Sequence, residues 1–570
     1  MSHSSRRRPH SVRARLVAAC AGVAAMAGML LSSPAVADSV PPTAPRALPR
    51  ADYLGDGLGQ IMYRPLTGPF MLANPVSGHL AYQFFLEEDL PGDVSFKDYI
   101  PVGDQDGDGG PEILVLTTNG TLSLVRTGRD SNWAYVGEQD RVGSGWQIYN
   151  KVLSPGDLNG DALADVLART PGGDLYFYAA TGSKDVPFAR RVKIASGWQI
   201  YDQLVGVTDN DGDGVGDVVT RTPSGQLFFH SGIAGASPAF KAPAGIGVGW
   251  GVYNQIAGGD DMDGDGNGDL AGRTVDGALY VYKGLGDGSF ARRTQSLFAS
   301  GWQKGDVIVG AGGNPAYGKR SIQAVSTDGK PYTYETLGNG LLAPRRQAPS
   351  PYKCSTSYGG TRLMTFASDT ALDNRPEMLA VCGNGWLTGG TEGQWAIGGG
   401  WGVYNALLGP GDLTGDGKGD LLAREKSGRL YLYRSTSDAF SASVPSFASR
   451  VDVGGGWGVY DRIVGAGDYT GDGRSDIVAR TTAGVLYLYA GTGSTSAPFA
   501  PRVKVGAGWQ IYSKLAAIGD VDGDGRGDLL AADRGGHLYR YSSTGAAPGS
   551  GSFRARALIG GGWNTYRELN

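Results

Sequence analysis

The stretch GWQIYSKLAAIGDVDGDGRGD, residues 508–528, decides the fold. Four aspartates occupy positions 1, 3, 5 and 9 of one loop, at Asp520, Asp522, Asp524 and Asp528. Carboxylates this close together repel one another unless a cation lies between them. The first three positions match the spacing of an EF-hand calcium loop, but short strand-like apolar runs flank the loop instead of helices. The stretch therefore predicts a calcium loop between two β-strands.

Loops of this pattern recur along the chain, mostly about 52 to 56 residues apart. Three of them have Thr or Asn at position 3, and we expect these loops to bind calcium more weakly. The predicted ligands in the first half of the chain are Asp104, Asp106, Asp108 and Glu112; Asp157, Asn159, Asp161 and Asp165; Asp209, Asp211, Asp213 and Asp217; and Asp261, Asp263, Asp265 and Asp269. Those in the second half, besides the loop quoted above, are Asp369, Asp373 and Glu377 of an eroded copy; Asp412, Thr414, Asp416 and Asp420; and Asp468, Thr470, Asp472 and Asp476.

A Gly-Trp-x-x-Tyr stretch precedes six of the loops. Because its tryptophan has the same phase in each repeat, packing between repeats is the favoured interpretation, and stacking on a sugar ring is the alternative. The six tryptophans are Trp146, Trp198, Trp250, Trp401, Trp457 and Trp509. Trp302 has the same phase ahead of Gly313, where the acids are gone, and Trp563 begins a last such stretch at the end of the chain.

Each repeat contains four strand-sized segments with alternating apolar residues, and helical periodicity is absent. Four-stranded units repeated at this period predict the blades of an all-β propeller. Matching fragments recur at an offset of about 260 residues, which indicates a tandem duplication of five repeats. We therefore predict two five-bladed propellers, residues 51–311 and 312–570, closed by the segments after Trp302 and Trp563. One larger ring of seven to ten blades is the alternative.

The N-terminal segment predicts export. Arginines precede an apolar run, and Ala35-Val36-Ala37 supplies a small-residue cleavage site, so residues 1–37 are predicted to be a secretory signal peptide. Residues 38–50, rich in proline and alanine, are predicted to be a flexible leader. No later stretch is long and apolar enough to span a bilayer, so the mature protein is expected to be secreted.

Two cysteines and a series of recurring arginines are predicted to have structural roles. Cys354 and Cys382 are the only cysteines after the predicted signal peptide, and an exported chain favours a disulfide between them. Arginines also recur at the end of the second strand of the repeats, where pairing with a loop acid is favoured over contact with a carboxylate ligand. These arginines are Arg169, Arg221, Arg273, Arg424 and Arg480.

The acidic loops resemble FG-GAP or VCBS repeats, the calcium-loop blades of the integrin α-subunit propeller. The Gly-Trp-x-x-Tyr and Gly-x-Leu-Tyr strands more weakly resemble the tachylectin family, whose five-bladed propellers bind N-acetylated sugars. The first resemblance implies calcium-stabilised blades, and the second implies lectin-like binding. Since tachylectin blades lack the acidic insertion, the two resemblances fix the fold better than the ligand.

These features favour a binding protein over an enzyme. The expected function is lectin-like recognition of carbohydrate or cell-wall polysaccharide, and the alternative is a scaffold for extracellular protein partners or adhesion. A hydrolytic enzyme is the least favoured class, because no zinc-binding His-Glu-x-x-His run or nucleophile elbow is present. No basic stripe with interleaved aromatics is present, which argues against nucleic acid as a partner.

Overall fold

The structure is a computed structural model, and its described part begins at Arg50. The predicted signal peptide and residues 38–49 of the predicted leader lie outside this part, as do Asp369, Asp373, Asp524, Trp302 and Gly313. The described residues are 50–65, 70–84, 96–117, 120–130, 133–274, 277–297, 305–310, 321–337, 340–347, 354, 359–368, 370–371, 376–390, 395–437, 445–465, 467–522 and 526–570.

The described chain is all-β and consists of ten four-stranded antiparallel sheets and one two-stranded ribbon. The only described helices are seven 3-10 helices of three residues, each beginning at the tryptophan of a Gly-Trp-x-x-Tyr stretch. No helix in this part of the chain is long and apolar enough to cross a membrane. The predicted fold class, an all-β propeller, is confirmed, and each four-stranded sheet is a blade.

Blades 1 to 5 lie in the first half of the chain, and their strands are given in sheet order. Blade 1 consists of Gly305–Ile308, Ile61–Pro65, Phe70–Asn74 and His79–Phe84. Blade 2 consists of Phe96–Gly103, Glu112–Thr117, Leu122–Asp130 and Trp133–Gly143, and blade 3 of Lys151–Gly156, Asp165–Arg169, Leu175–Tyr178 and Val192–Ala195. Blade 4 consists of Gln203–Thr208, Asp217–Arg221, Leu227–His230 and Ala244–Gly247, with the ribbon Gly232–Ile233 and Ala239–Phe240. Blade 5 consists of Tyr253–Asp260, Asp269–Thr274, Leu279–Tyr282 and Thr294–Gln295.

Blades 6 to 10 lie in the second half. Blade 6 consists of Tyr566–Leu569, Ser321–Ser326, Pro331–Glu335 and Arg346–Gln347, and blade 7 of Thr361–Ala367, Glu377–Cys382, Leu387–Gly389 and Trp395–Gly398. Blade 8 consists of Tyr404–Gly411, Asp420–Glu425, Leu430–Tyr433 and Val451–Gly454. Blade 9 consists of Tyr460–Val464, Ile477–Thr481, Leu486–Tyr489 and Val503–Gly506, and blade 10 of Tyr512–Ala517, Asp528–Asp533, Leu538–Ser542 and Ala557–Gly560.

Two blades take their first strand from a distant part of the chain. In blade 1 the strand Gly305–Ile308 pairs with Ile61–Pro65, with Tyr63 opposite Ile308. In blade 6 the C-terminal strand Tyr566–Leu569 pairs with Ser321–Ser326. Each pairing joins the two ends of a run of five blades, as two five-bladed rings would require. The assignment to two five-bladed rings stays a prediction.

Hydrophobic cores lie between successive blades and hold them together. Met62 of blade 1 packs with Tyr99 of blade 2, and the cores continue from blade to blade. Ala257 of blade 5 then packs with Ile61 of blade 1, so the first five blades form a closed cycle. In the second half, cores join blades 7, 8, 9, 10 and 6 in that order.

Arg50 lies among the first strands of several blades. Its guanidinium pairs with Asp260 of blade 5 and donates to the carbonyl oxygens of Ser154 in blade 3 and Gly206 in blade 4. Both charged side chains are buried. The leader predicted for residues 38–50 is therefore wrong at its last residue, since Arg50 is an internal residue of the propeller.

Asp260 has a backbone conformation that glycine adopts at the equivalent place in other blades. Its φ is 50°, whereas Gly103, Gly156 and Gly411, which also directly precede the first loop acid, have φ values of 69°, 99° and 102°. A left-handed conformation costs a non-glycine residue about 1 to 2 kcal/mol. At this position an aspartate replaces glycine and binds Arg50.

Candidate functional sites

The first acid closes each acidic loop whose residues are all described. In the loop that begins at Asp209, one carboxylate oxygen accepts the backbone N–H of Gly212 at 2.7 Å, and the other accepts that of Gly214 at 2.9 Å. Both glycines have positive φ, which a residue with a side chain adopts only with strain. The same pair of bonds recurs at Asp104, Asp261, Asp412 and Asp468.

The acid at position 9 is buried and ties the loop to a second part of its blade. The two oxygens of Asp217 accept the backbone N–H groups of Asn210 and Gly232, at 2.8 and 2.9 Å. Asp165, Asp269, Asp420, Asp476 and Asp528 make equivalent bonds. The position-9 acid therefore joins the loop to the connection that follows the third strand, a structural role that its sequence position did not predict.

Burial disfavours the charged form of these acids. It raises the pKa of Asp217 and of Glu112 to about 8, and that of Asp165, Asp269 and Asp476 to about 7, with a further rise from the neighbouring loop carboxylates. The pKa of Asp420 is also well above its ordinary range for the same reason. These directions describe loops without a cation, and a bound cation would favour the charged form.

Four loops bring at least three acids together, with one ligand atom from each lying within 4.8 Å of the others. The clusters are Asp104, Asp106, Asp108 and Glu112; Asp209, Asp211 and Asp217; Asp261, Asp263 and Asp265; and Asp520, Asp522 and Asp528. In these loops the described acids converge, except that Asp213 and Asp269 lie outside their clusters, and Asp524 is not among the described residues.

The other loops bring fewer acids together. Among the described residues, the loops that begin at Asp157, Asp412 and Asp468 form no cluster of three acids. In the last two loops the position-3 threonine, Thr414 or Thr470, lies with its hydroxyl 3.5 or 3.3 Å from an oxygen of the first acid. In the eroded copy, Glu377 accepts the backbone N–H and the hydroxyl of Thr370, and its predicted partners are not described.

Buried carboxylate oxygens without a hydrogen-bond donor fit a cation. Within the described part of the chain, Oδ1 of Asp211, Oδ1 of Asp522 and Oε1 of Glu112 are buried and accept no hydrogen bond. A buried carboxylate oxygen without a partner is costly, and a hard divalent ion would satisfy it. The all-oxygen donor set matches the preference of Ca²⁺ better than that of zinc or copper.

Basic side chains also approach some loop acids. Nε of Arg126 lies 2.8 Å from Asp106, and Nζ of Lys241 lies 3.0 Å from Asp213. Arg126 contributes to a lowered pKa of Asp106. These pairs reduce the repulsion within the loops, but they do not reach the buried oxygens named above.

The recurring arginines of the second strand hold neighbouring blades together. Arg221 donates through Nη1 to the carbonyl oxygens of Trp250 and Tyr253 in the next Gly-Trp-x-x-Tyr turn, at 3.0 and 2.6 Å, and its Nε contacts Asp202. The predicted pairing with a loop acid is wrong here, because the arginine ends the second strand while the loop precedes that strand. Arg169, Arg424 and Arg480 make the same two carbonyl contacts.

The tryptophans of the Gly-Trp-x-x-Tyr turns are buried, with 5–8% of the side chain exposed. Trp146, for example, packs in the core between blades 2 and 3 and lies 4.5 Å from the ring of Tyr178. The packing interpretation is therefore confirmed for the described turns, and these indoles do not offer a face to a sugar.

In each of six blades, three tyrosines and one arginine lie together on the face that packs against the preceding blade. Nη1 of the arginine donates to a tyrosine hydroxyl, and Cζ lies 4.0–4.6 Å from the ring centre of a second tyrosine. We call these groups the Tyr–Arg sets. They are Tyr149, Tyr176, Tyr178 and Arg191; Tyr253, Tyr280, Tyr282 and Arg293; Tyr566, Tyr332, Tyr334 and Arg345; Tyr404, Tyr431, Tyr433 and Arg450; Tyr460, Tyr487, Tyr489 and Arg502; and Tyr512, Tyr539, Tyr541 and Arg556.

The sequence analysis missed the arginines of these sets, although a signal exists. Each arginine stands three residues after an aromatic or leucine residue that precedes the fourth strand, as in Phe188 and Arg191 or Phe499 and Arg502. In blade 4 the same place is Pro243, three residues after Phe240.

Blade 4 therefore lacks the charged group. There His230 replaces the third tyrosine and packs 4.8 Å from Trp198, with Nε2 2.8 Å from the hydroxyl of Thr220. Burial lowers the pKa of His230 to about 4, so the ring is neutral at physiological pH.

Exposed apolar residues recur on the Gly-Trp-x-x-Tyr turns. The residue before the tyrosine is Ile or Val in six turns and is 41–56% exposed. These residues are Ile148, Ile200, Val252, Val403, Val459 and Ile511. Blade 7 adds two exposed indoles, Trp386 and Trp395, in the half that also contains the Cys354–Cys382 disulfide.

Comparison with known proteins supports the repeat assignment. The FG-GAP-like repeat family matches residues 412–479 and 468–531, which contain the loops beginning at Asp412, Asp468 and Asp520. No curated protein matches the chain.

Solved structures give distant similarities. Two structures of BBS1N in complex with ARL6DN, soaked with lead or mercury, are 14% identical and cover 60% of this chain and 97% or 93% of theirs, with TM-scores of 0.19 and 0.20. AofleA from Arthrobotrys oligospora is 8% identical and covers 74% of this chain and 89% of its own, with a TM-score of 0.24. TM-scores this low leave strand pairing as the evidence for the propeller. The resemblance to FG-GAP repeats is confirmed, and the chain contains FG-GAP-like repeats.

Proposed function

We propose that this protein is a secreted, calcium-stabilised propeller that binds carbohydrate between its blades. The observation that carries the proposal is the sixfold recurrence of the Tyr–Arg set, which places one buried tyrosine, two half-buried tyrosines and one exposed arginine on the same face of six blades. Equivalent sites on one rigid scaffold suit a ligand that is itself repetitive, such as a polysaccharide.

The chemistry of the sets suits sugars. Tyrosine combines an apolar ring with a hydroxyl, and arginine supplies several directed N–H groups. One such site would be weak, but several sites on one chain raise the overall affinity for a polymer through effective concentration. The buried tryptophans contribute by fixing the tyrosines rather than by touching the ligand.

Calcium has a structural role in this proposal. The loops join the first two strands of their blades, and the position-9 acid also fixes the connection after the third strand. A cation held by the unpartnered oxygens of Asp211 or Asp522 would rigidify the blade edge without taking part in chemistry. Secretion into a calcium-rich compartment, as the predicted signal peptide implies, would keep such loops filled.

We also propose that the protein binds rather than catalyses. The two histidines whose side chains are described have structural surroundings: His230 is buried against Trp198, and His537 contacts Asp533 on the surface. Every cluster of three or more acids among the described residues belongs to one of the acidic loops.

A second candidate function is a scaffold for extracellular protein partners. The exposed Ile and Val residues on the Gly-Trp-x-x-Tyr turns favour it, because recurring apolar side chains at a surface suit a protein interface. Trp386 and Trp395 of blade 7 add two exposed indoles to this apolar surface.

The two functions are separated by binding the purified mature protein to an array of glycans and cell-wall polysaccharides in millimolar calcium. Binding to a coherent class of sugars supports the lectin proposal. Circular dichroism shows whether the protein on the array is folded. The scaffold function is supported instead if the folded protein binds no glycan but captures a cell-surface protein. That capture should be lost when Val403 and Val459 are changed to serine.

A further inference from the structure

We propose that the Tyr–Arg sets recognise the carboxylate groups of acidic polysaccharides, the polymers that contain uronic acids. This inference rests on the proposed carbohydrate function and names the class of sugar.

Five of the six arginines have no acid partner. Within the described part of the chain, no carboxylate lies within ion-pair distance of Arg191, Arg293, Arg345, Arg502 or Arg556, and all five are exposed. A surface arginine without an acid is ordinary when it is solvated and mobile. These five instead lie in one repeated geometry, fixed by a tyrosine ring and a tyrosine hydroxyl.

The orientation of the guanidinium leaves one edge of this group free to bind a ligand. In all six sets the hydrogen bond to the tyrosine uses Nη1, as in the 2.8 Å bond from Arg293 to Tyr253. The ring beneath Cζ fixes the plane of the group through a cation–π contact. The Nε and Nη2 edge is the pair of donors that binds a carboxylate through two parallel hydrogen bonds.

The tyrosine hydroxyls can supply a further donor beside the guanidinium. In each set two hydroxyls lie 2.5–2.8 Å apart, as between Tyr149 and Tyr178, and the arginine donates to one of them. One hydroxyl hydrogen is used between the two tyrosines, and when the arginine-bound hydroxyl is the donor of that bond, the hydrogen of the other hydroxyl is left to donate to a ligand. A sugar hydroxyl needs both a donor and an acceptor, whereas a carboxylate only accepts. A site that offers mostly donors and one positive charge therefore favours the anion.

The chain contains two internal controls. Arg450 of blade 8 has the same tyrosine contacts, but Glu425 lies 3.0 Å from its Nη1 and already neutralises it. Blade 4 has Pro243 in place of the arginine. Blade 8 should thus contribute less than the other five sets, and blade 4 should not contribute.

The test uses the full mature chain and soluble oligogalacturonate, a polymer of uronic acids, with the methyl-esterified form as the matched neutral ligand. We expect the acid form to bind at least about 10-fold more tightly, because esterification removes the charge and one acceptor. Binding should weaken as sodium chloride rises from about 50 to 300 mM. Dextran sulfate tests whether the sets prefer carboxylate or sulfate groups. If it binds more weakly than oligogalacturonate, carboxylate recognition is supported. If it binds more tightly, the sets recognise sulfate and the carboxylate inference is overturned.

Variants locate the site. Changing Arg191, Arg293, Arg502 and Arg556 together to glutamine should reduce oligogalacturonate affinity at least about 10-fold, because several weak contacts are lost at once. The matched control Arg450→Gln should change it less than about 2-fold. Thermal unfolding shows whether the fourfold variant is folded. If it fails to fold, the single variant Arg502→Gln, with an expected loss of about 2-fold, replaces it.

The two proposals fail differently. Equal binding of the acid and the esterified polymer, or full binding by the folded fourfold variant, overturns the carboxylate inference and leaves the carbohydrate proposal in place. No binding to any acidic or neutral polysaccharide by folded protein overturns both.

Discussion

The two halves of the chain use the same blade but are stabilised by different means. In blades 1 to 5, three loops bring three or more acids together, and Arg50 and Asp260 form a buried ion pair. Among the described residues of blades 6 to 10, one loop does so, and two others have threonine at position 3. Blade 7, whose loop is eroded, instead carries the Cys354–Cys382 disulfide.

The difference indicates that the blade needs some constraint near its loop but not a particular one. A metal site, a buried ion pair and a disulfide all remove freedom that the loop and its flanking strands would otherwise have. The Tyr–Arg sets, in contrast, occur in both halves with the same geometry. The stabilising elements differ between the two halves, whereas the Tyr–Arg sets, which we propose bind the ligand, have the same geometry in both.

Calcium removal should have the largest effect and should separate the halves. For dissociation constants of about 0.1 to 1 mM, 10 mM calcium stabilises each loop by about 1.4 to 2.7 kcal/mol. Since the four-acid loops are concentrated in the first half, chelator should increase backbone amide exchange more in blades 2 to 5 than in blades 8 and 9. Hydrogen exchange with mass spectrometry measures this. Magnesium, which prefers a smaller octahedral site, serves as the control cation.

Equal loss of protection in both halves would show that the converged clusters do not bind calcium more tightly than the threonine loops. No change in either half, with the protein folded, would show that the loops are structural turns without a metal.

Arg50→Ala should have the next largest effect, confined to the first half. It leaves the carboxylate of Asp260 buried without its partner, and the loss of one member of a buried pair typically costs about 3 to 5 kcal/mol. Urea unfolding followed by hydrogen exchange should show weaker protection in blades 3 to 5, with blades 8 to 10 unchanged.

The matched control is the double variant with Asp260→Gly, which restores the residue found at the equivalent place in other blades. It removes both the unpaired charge and the left-handed backbone strain, so it should recover a large part of the lost stability. If the double variant is no more stable than Arg50→Ala, the ion pair does not explain the effect.

Much of this structure could be predicted because it repeats. The loop spacing predicted strands on either side of each acidic loop, and the offset of about 260 residues predicted the partners of the closing strands. Arg50 was assigned to a leader because it occurs once, and a single residue gives no periodic signal. The arginines of the Tyr–Arg sets do repeat, but the chain passes through three strands between Tyr149 and Arg191, or between Tyr460 and Arg502, so their contact depends on the folded sheet. The hydrogen bond from Gly232 to Asp217 was not predicted. The loop spacing indicated that Asp217 belongs to the loop, but it gave no sign that the second carboxylate oxygen binds another part of the blade.

Reduction of the disulfide should destabilise the second half only. The bond closes a segment with a sequence separation of 28 residues, which corresponds to about 3 to 4 kcal/mol in the chain-entropy model. We expect Cys354→Ser together with Cys382→Ala to lower protection in blade 7 and its neighbour blade 8, and to leave blades 2 to 5 unchanged. Intact mass with and without reductant confirms the bond in the parent protein. An unchanged blade 7 would show that the packing of this blade is stable without the disulfide.

The smallest expected effect comes from a single residue in one loop of the first half. Ala162 occupies position 6 with a φ of 71°, where Gly214 and Gly266 stand in the next two loops. Ala162→Gly should stabilise the folded protein by about 0.5 to 1 kcal/mol, because the relief of left-handed strain exceeds the added freedom of the unfolded chain. The reciprocal Gly214→Ala is the matched control, since a Cβ built there meets no atom within 4 Å and its cost is conformational alone.

In calcium the two changes should have opposite signs. If backbone strain is what keeps the acids of the Asp157 loop from converging, Ala162→Gly should also tighten calcium binding there, and Gly214→Ala should weaken it at the Asp209 loop. Calcium titration followed by hydrogen exchange of the two loops measures both effects. An Ala162→Gly protein with higher stability but unchanged calcium binding would assign the weakness of that loop to Asn159 at position 3, the same cause that we expect for the threonine loops of the second half.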